Sequence, residues 1–576
     1  MFDRALLGQR PTRDDECGAV LGMRSNGVFC AAIMNQLIKD KQRLSEINAL
    51  RTAGGHQSAA LLLAEDRLQQ LIDSQDADPS SLLDWMCLTE QLRREAGCKT
   101  QADNTRALVL SEATRQFGAY SRGYATVLER LATQLLGGWH RGSLNDSLYE
   151  CDQAKSLLIQ ALDIREKALR PPSELVLDVV RTATALSKVH ESLREEGAAT
   201  SNLQYAISRA EDAVGRDHIE VARLLVPLSR LYRLEHRHES SVRVAREALR
   251  IAQLHGSSTV DVAIAQNSLG LAMVHAGNLV EGNDFLRCSF EMARRLEDLS
   301  DADFADISYV YGEQLVRLKR WNEALVCLSI AVERYERYLL PDHRRRLDAL
   351  VLQGMCRAGS GDVGNARKVL EDVYRVVERC RHGSPEIEEE FASICVALAA
   401  AYVTAGDQRE ADRLLADVDS IADCCLCDTD DFDSKNEEEQ WEAEDSDAHG
   451  RRLKQMVGPA MVRSLLASNA NDDALQLVES LLELKEAEFS DEDSLTSELL
   501  SLVHFQRGDL AEAVVAASRA LSLCEESEVI DELKLAELLL SHAVILRAAG
   551  HGDEATVSEE RGKAIYLKVR HAFAVP

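Results

Sequence analysis

The sequence predicts an all-α protein, a solenoid of repeated helical hairpins, and three observations carry that prediction. Only nine Pro and 5% aromatic residues accompany abundant Ala, Leu, Glu and Arg, a composition that favours helices and leaves little of the β-branched and aromatic material used by sheets. One pattern recurs at a steady offset: Leu228, Leu269, Tyr311, Gln353 and Leu398 stand 41, 42, 42 and 45 residues apart, a spacing that marks stacked repeats. Within Val262 to Ala293 the residues also sit where two antiparallel helices need them. Leu269-Gly270 lies mid-helix, Gly277-Asn278 makes a turn that tolerates φ > 0, Gly282 admits a close neighbour and Leu286 fills the space beside it. At 576 residues the chain exceeds what one hydrophobic core organises, which suits an array.

In chain order, an irregular start leads to apolar residues at helical spacing over Phe29 to Leu50 and Ala59 to Ile72, around Gly54-Gly55. Leu82 to Arg94, Ala107 to Phe117 and Tyr124 to Leu136 continue the helical pattern in poor repeat register. From Leu144 the register sharpens. Ala154, Leu158 and Ala161 put small, large and small residues on one helix face, Pro171-Pro172 stops that helix, and Leu175 to Val214 repeats the form. Leu228 and Tyr232 then pair with Ser241, Ala245 and Ala248; Leu269 and Gly270 with Gly282, Leu286 and Ser289; Tyr311 and Gly312 with Ala324, Leu328 and Ala331. Gly354 with Ala366 and Leu370, and Tyr402 with Ala411 and Leu415, extend the series. Hairpins resume at Met461 to Leu484, and Glu559 to Phe573 reads as a capping helix. The expected domains are a degenerate helical region at 1–140, the repeat array at 141–423, an acidic disordered insert at 424–450, and C-terminal repeats with a cap at 451–576.

NSLGLAMVHAGNLVEG, YGEQLVRLKRWNEALVCLSIAV and EALRIAQLHG resemble tetratricopeptide repeats, in the longer form of about 42 residues found in kinesin light chains. The resemblance implies a right-handed superhelix whose first helices line a concave, peptide-binding groove. It also implies that Asn267, which matches the family's groove Asn, bonds a peptide backbone.

Formal net charge is −30, which repels a phosphate backbone and disfavours nucleic acid as a ligand. Residues 1–30 contain no signal-peptide apolar core, and the longest apolar run, Ile394 to Val403, is ten residues, short of the roughly 20 needed to cross a membrane. Fourteen Cys, all but those at 424–427 scattered singly, suit a reducing compartment, so a soluble, cytoplasmic protein is expected. Cys424, Cys425, Cys427 and His449 lack the Cys-x2-Cys spacing of a zinc site. Asp428, Asp430 and Asp433 fail the calcium-loop pattern, and Ser434 and Ser446 sit among acids as kinase targets or as plain solvated polyanion. Phosphate loops, dinucleotide fingerprints and hydrolase motifs do not occur. The expectation is a protein that is not an enzyme and needs no metal or cofactor, with an enzyme site in the first 140 residues as the rival from another class.

Arg223, Arg230 and Arg233 share one stripe of a helix at spacings of seven and three. The repeat register turns that stripe toward the groove, and the same count adds Asn267, Tyr309 and Arg317. Residues 219–250 hold seven Arg against four Glu, so an acidic peptide with an apolar anchor is the expected groove ligand, against the alternative of a solvated charged face. The leading function is a scaffold or adaptor that binds peptide segments of partner proteins, with a ligand-sensing regulator built on a similar array as the alternative.

Overall fold

The computed structural model describes residues 41–50, 57–73, 79–141, 148–167, 173–256, 259–380, 385–426, 437–487, 494–527 and 530–572. Among these residues all extended regular structure is helical. The chain forms two compact units, one of residues 1–140 and 147–209, the other of residues 141–146 and 210–576.

In the first unit, helical residues 41–50 precede α1 (Gln57–Asp73), α2 (Pro79–Glu95), α3 (Lys99–Phe117), α4 (Arg122–Arg141), α5 (Leu148–Lys167), α6 (Ser173–Ser192) and most of α7 (Glu196–Val214). Its main core joins Leu128, Leu131 and Leu135 of α4 to Ala154, Leu158 and Ala161 of α5, the small, large, small face expected from the sequence. Charge is buried here too. Arg94 donates to Glu90, Asp103 and Glu150 at 2.8, 3.0 and 2.7 Å, so the buried Glu90 and Glu150 carboxylates each have a cationic partner, as ions removed from water require.

The second unit is a run of antiparallel hairpins: α8 (Ile219–Leu234) with α9 (His238–Leu254), α10 (Val260–His275) with α11 (Leu279–Ala293), α12 (Asp301–Arg317) with α13 (Trp321–Tyr335), and α14 (Arg344–Gly359) with α15 (Val363–Val377). The run continues with α16 (Pro385–Thr404) and α17 (Gln408–Leu426), α18 (Glu437–Ala467) and α19 (Asn471–Ala487), α20 (Ser494–Arg507) and α21 (Leu510–Glu526), and α22 (Glu532–Ala548) and α23 (Gly552–Ala572). The repeat period reappears in the turns. His236, Gly277, Lys319, Gly361 and Gly406 all have positive φ, at 57°, 83°, 57°, 92° and 77°. In each turn the following N–H reaches back to close the helix, as Asn278 does to the Met273 carbonyl (2.9 Å) and Arg320 to that of Leu315 (2.9 Å).

Inside the hairpin α10–α11 the two helices meet backbone to backbone. A Cβ on Gly270 would lie 2.7 Å from the Gly282 carbonyl oxygen and 2.8 Å from Leu286 Cγ, and one on Gly282 would lie 2.8 Å from the Gly270 carbonyl oxygen. Only glycine permits that approach. At the matching positions Ala245, Ala324, Leu328, Ala366, Leu370 and Ala411 are fully buried.

The acidic stretch expected to be disordered at 424–450 is helical where it is described: Cys424–Leu426 end α17 and Glu437–Gly450 open α18. Residues 427–436 lie outside the described residues. The Glu and Ala of 437–444 are strong helix formers, and they lead into a packed segment anchored by Leu453 and Val457; high charge alone did not forbid a helix that a docked continuation nucleates. The last helix likewise begins at Gly552, earlier than the expected Glu559.

Candidate functional site

First helices of successive hairpins from α8 to α20 pack on one another, whereas second helices do not meet to a comparable extent. Elements that approach more closely lie inside the curve, so α8, α10, α12 and α14 line a concave face.

The stripe on α8 bridges to α10. Arg223 sends Nε to Asp261 Oδ1 (2.8 Å) and Nη2 to Asp261 Oδ2 (3.1 Å), and pairs with Glu220 at 2.7 Å. Its hydrogen bonds to Asp261 hold the guanidinium above its ordinary pKa. Arg230 and Arg233 are half-buried, and Arg233 Nη1 stands 3.5 Å from His275 Nε2 at the end of α10. Partial burial, then the charges of Arg233, His238, Arg317 and His236, push the His275 pKa below its usual value. His238 and His275 stack with ring centroids 6.4 Å apart.

The middle differs. Asn267 is half-buried, and its Oδ1 is buried with no hydrogen-bond partner among the described residues, as is Gln266 Oε1 beside it. Tyr309 is half-buried against Ala305, Ala331 and Tyr335; burial, then Glu313 and Asp348, raises its phenol pKa well above the normal range. Glu313, one turn further on α12, makes no hydrogen bond or close ion pair to a described residue. Burial lifts its carboxyl pKa, with Arg317 opposing. Arg317 is held elsewhere: its Nη2 donates to Asp531 Oδ2 at 2.6 Å. Arg344, Arg345 and Arg346 form the first turn of α14, paired with Asp348 (2.8 Å), Asp306 (2.7 Å) and Glu336 (3.0 Å).

The structure thus brings Arg233 to His275 and Arg223 to Asp261, and assigns Arg317 to a distant acid. His275 could have been found from the sequence, because it stands 42 residues before Arg317. Nothing local to Arg317 signals Asp531. His449, weighed as a metal ligand, is buried and directs Nε2 to Glu388 Oε2 at 3.0 Å.

No protein-family model matches the chain, and no curated protein matches it. Among solved structures it is similar to a Rap protein complexed with Competence and Sporulation Factor, with TM-score 0.43 and 11% identity over 78% of this chain and 99% of that one. BtubC (BKLC) from P. vanneervenii matches with TM-score 0.31 and 15% identity over 44% of this chain and 94% of that one. The apo form of RapI matches with TM-score 0.31 and 14% identity over 48% of this chain and 98% of that one.

Proposed function

We propose that this chain is a non-enzymatic, cytoplasmic interaction scaffold of the long tetratricopeptide type seen in kinesin light chains, and that it binds extended peptide segments of partner proteins along the inner face of α8 to α14. The observation that supports the reading is on α10, where Asn267 Oδ1 is buried with no hydrogen-bond partner among the described residues. A buried acceptor without a donor is costly, and a peptide N–H would satisfy it. Arg230 and Arg233, with His275 beside them, favour a carboxylate further along the ligand, and Tyr309 offers an apolar wall for its anchor. Arg223 is paired with Asp261 and Glu220.

Fluorescence anisotropy with acidic, neutral and basic decapeptides, each carrying one Leu anchor, tests this at fixed salt. Wild type should prefer the acidic peptide, Asn267→Ala should weaken it about tenfold, and an Arg230→Glu, Arg233→Glu double variant that stays helical should lose the preference. Equal binding of the acidic and basic peptides to wild type would refute the groove chemistry.

A further inference from the structure

Helix α22 reaches back to α12 across four intervening hairpins. Asp531 caps α22, accepting from the N–H groups of Leu533 and Lys534 on Oδ1 (3.0 and 3.3 Å), while its Oδ2 takes the Arg317 guanidinium at 2.6 Å. Glu537 stands 3.8 Å from Lys319 Nζ, Leu533 packs on the apolar core shared by α10, α12 and α14, and α23 approaches α11. Stacking of neighbouring hairpins does not produce a contact between residues 214 apart. The array closes on itself.

The ionic contacts of the closure are open to solvent. Arg317 and Asp531 remain 38% and 41% exposed, Lys319 and Glu537 62% and 54%, and ion pairs that exposed contribute little and are screened by salt. Their advantage is that the segment is tethered, so it acts at a high effective concentration. The docked surface also has a readable chemistry: an acid, an aliphatic residue two positions later, and a second acid four positions after that.

We propose that α22 is a clasp, a built-in occupant of the Arg317 end of the inner face, which keeps the array closed and yields to a partner segment of the same chemistry. The partner half of this proposal rests on the inner-face reading above, whereas the closure stands on its own contacts.

The test uses the full chain and an Asp531→Asn, Glu537→Gln variant, because Asn retains the helix cap while removing the charge. Hydrogen exchange across residues 532–548 should rise at least fivefold in the variant. A fluorescein-labelled peptide of residues 530–540 should bind the variant about tenfold more tightly than wild type, since its site is vacated. Arg317→Gln should raise exchange in α22 while weakening peptide binding to the Asp531→Asn, Glu537→Gln background about fivefold. Unchanged α22 exchange in both variants overturns the clasp. Raised exchange with no peptide binding to any form overturns the partner half and leaves the closure standing. Asn267→Ala separates the two readings, because it should weaken groove ligands and leave α22 exchange as in wild type.

Discussion

At the residue scale, small positions and isolated charges decide most. Gly282 faces backbone on one side and Val274 on the other, at 2.8 and 2.9 Å from an added Cβ, and neither can move without parting the helices. Gly282→Ala should therefore destabilise the chain by about 1–3 kcal/mol, read as a lower denaturant midpoint at unchanged slope. Glu313 shows the opposite case. Burial raises its carboxyl pKa, so the folded chain holds that proton more tightly than the unfolded one. The associated stability is fully present below the unfolded pKa and is lost as pH rises through the folded value. Glu313→Gln, free of that loss, should be more stable than wild type by about 1 kcal/mol at pH 7, and the gain should vanish near pH 4. A gain equal at both pH values would mean that ionisation of Glu313 is not its origin.

At the scale of the hairpin, turn and interface are separable. His236 adopts φ of 57°, a conformation that glycine takes without strain. His236→Gly should stabilise by about 0.5 kcal/mol, the relief slightly exceeding the entropy glycine adds to the unfolded chain. Thermal melts of the two proteins check it, and a lower midpoint for the glycine variant would show that the His236 ring contact with His238 outweighs the strain. Ala324 has no exposed surface and faces the paired helix, so Ala324→Glu should cost at least about 3 kcal/mol by burying an unpaired carboxylate. A neutral result would place α13 in a different phase.

At the scale of the molecule, most contacts join neighbours, so losing one end should leave the rest folded. A chain ending at Glu526 should keep its mean residue ellipticity at 20 °C, although Ala520, Leu521 and Cys524 lose the cover of Leu535, Leu538 and Leu539. A collapse of helicity throughout the shortened chain would show instead that closure by α22 supports the whole array.

The helical class, the hairpin unit and its period were legible in the residues themselves, because each hairpin repeats one local problem. A small residue is needed where helices touch, a residue able to take positive φ where they turn, and a large apolar one beside the gap, as Gly282, Gly277 and Leu286 illustrate. That Arg223, Arg230 and Arg233 share one helix followed from the same register. The state of those side chains did not. Whether a guanidinium is open to a ligand depends on which carboxylate the curvature of the stack brings within about 4 Å, and that distance is set by summed small rotations between hairpins. Asp261 reaches Arg223 from the next repeat, and Asp531 reaches Arg317 from 214 residues away; only the tertiary structure could decide that, because pairing of charges is a matter of position in space, whereas periodicity is a matter of position in the chain.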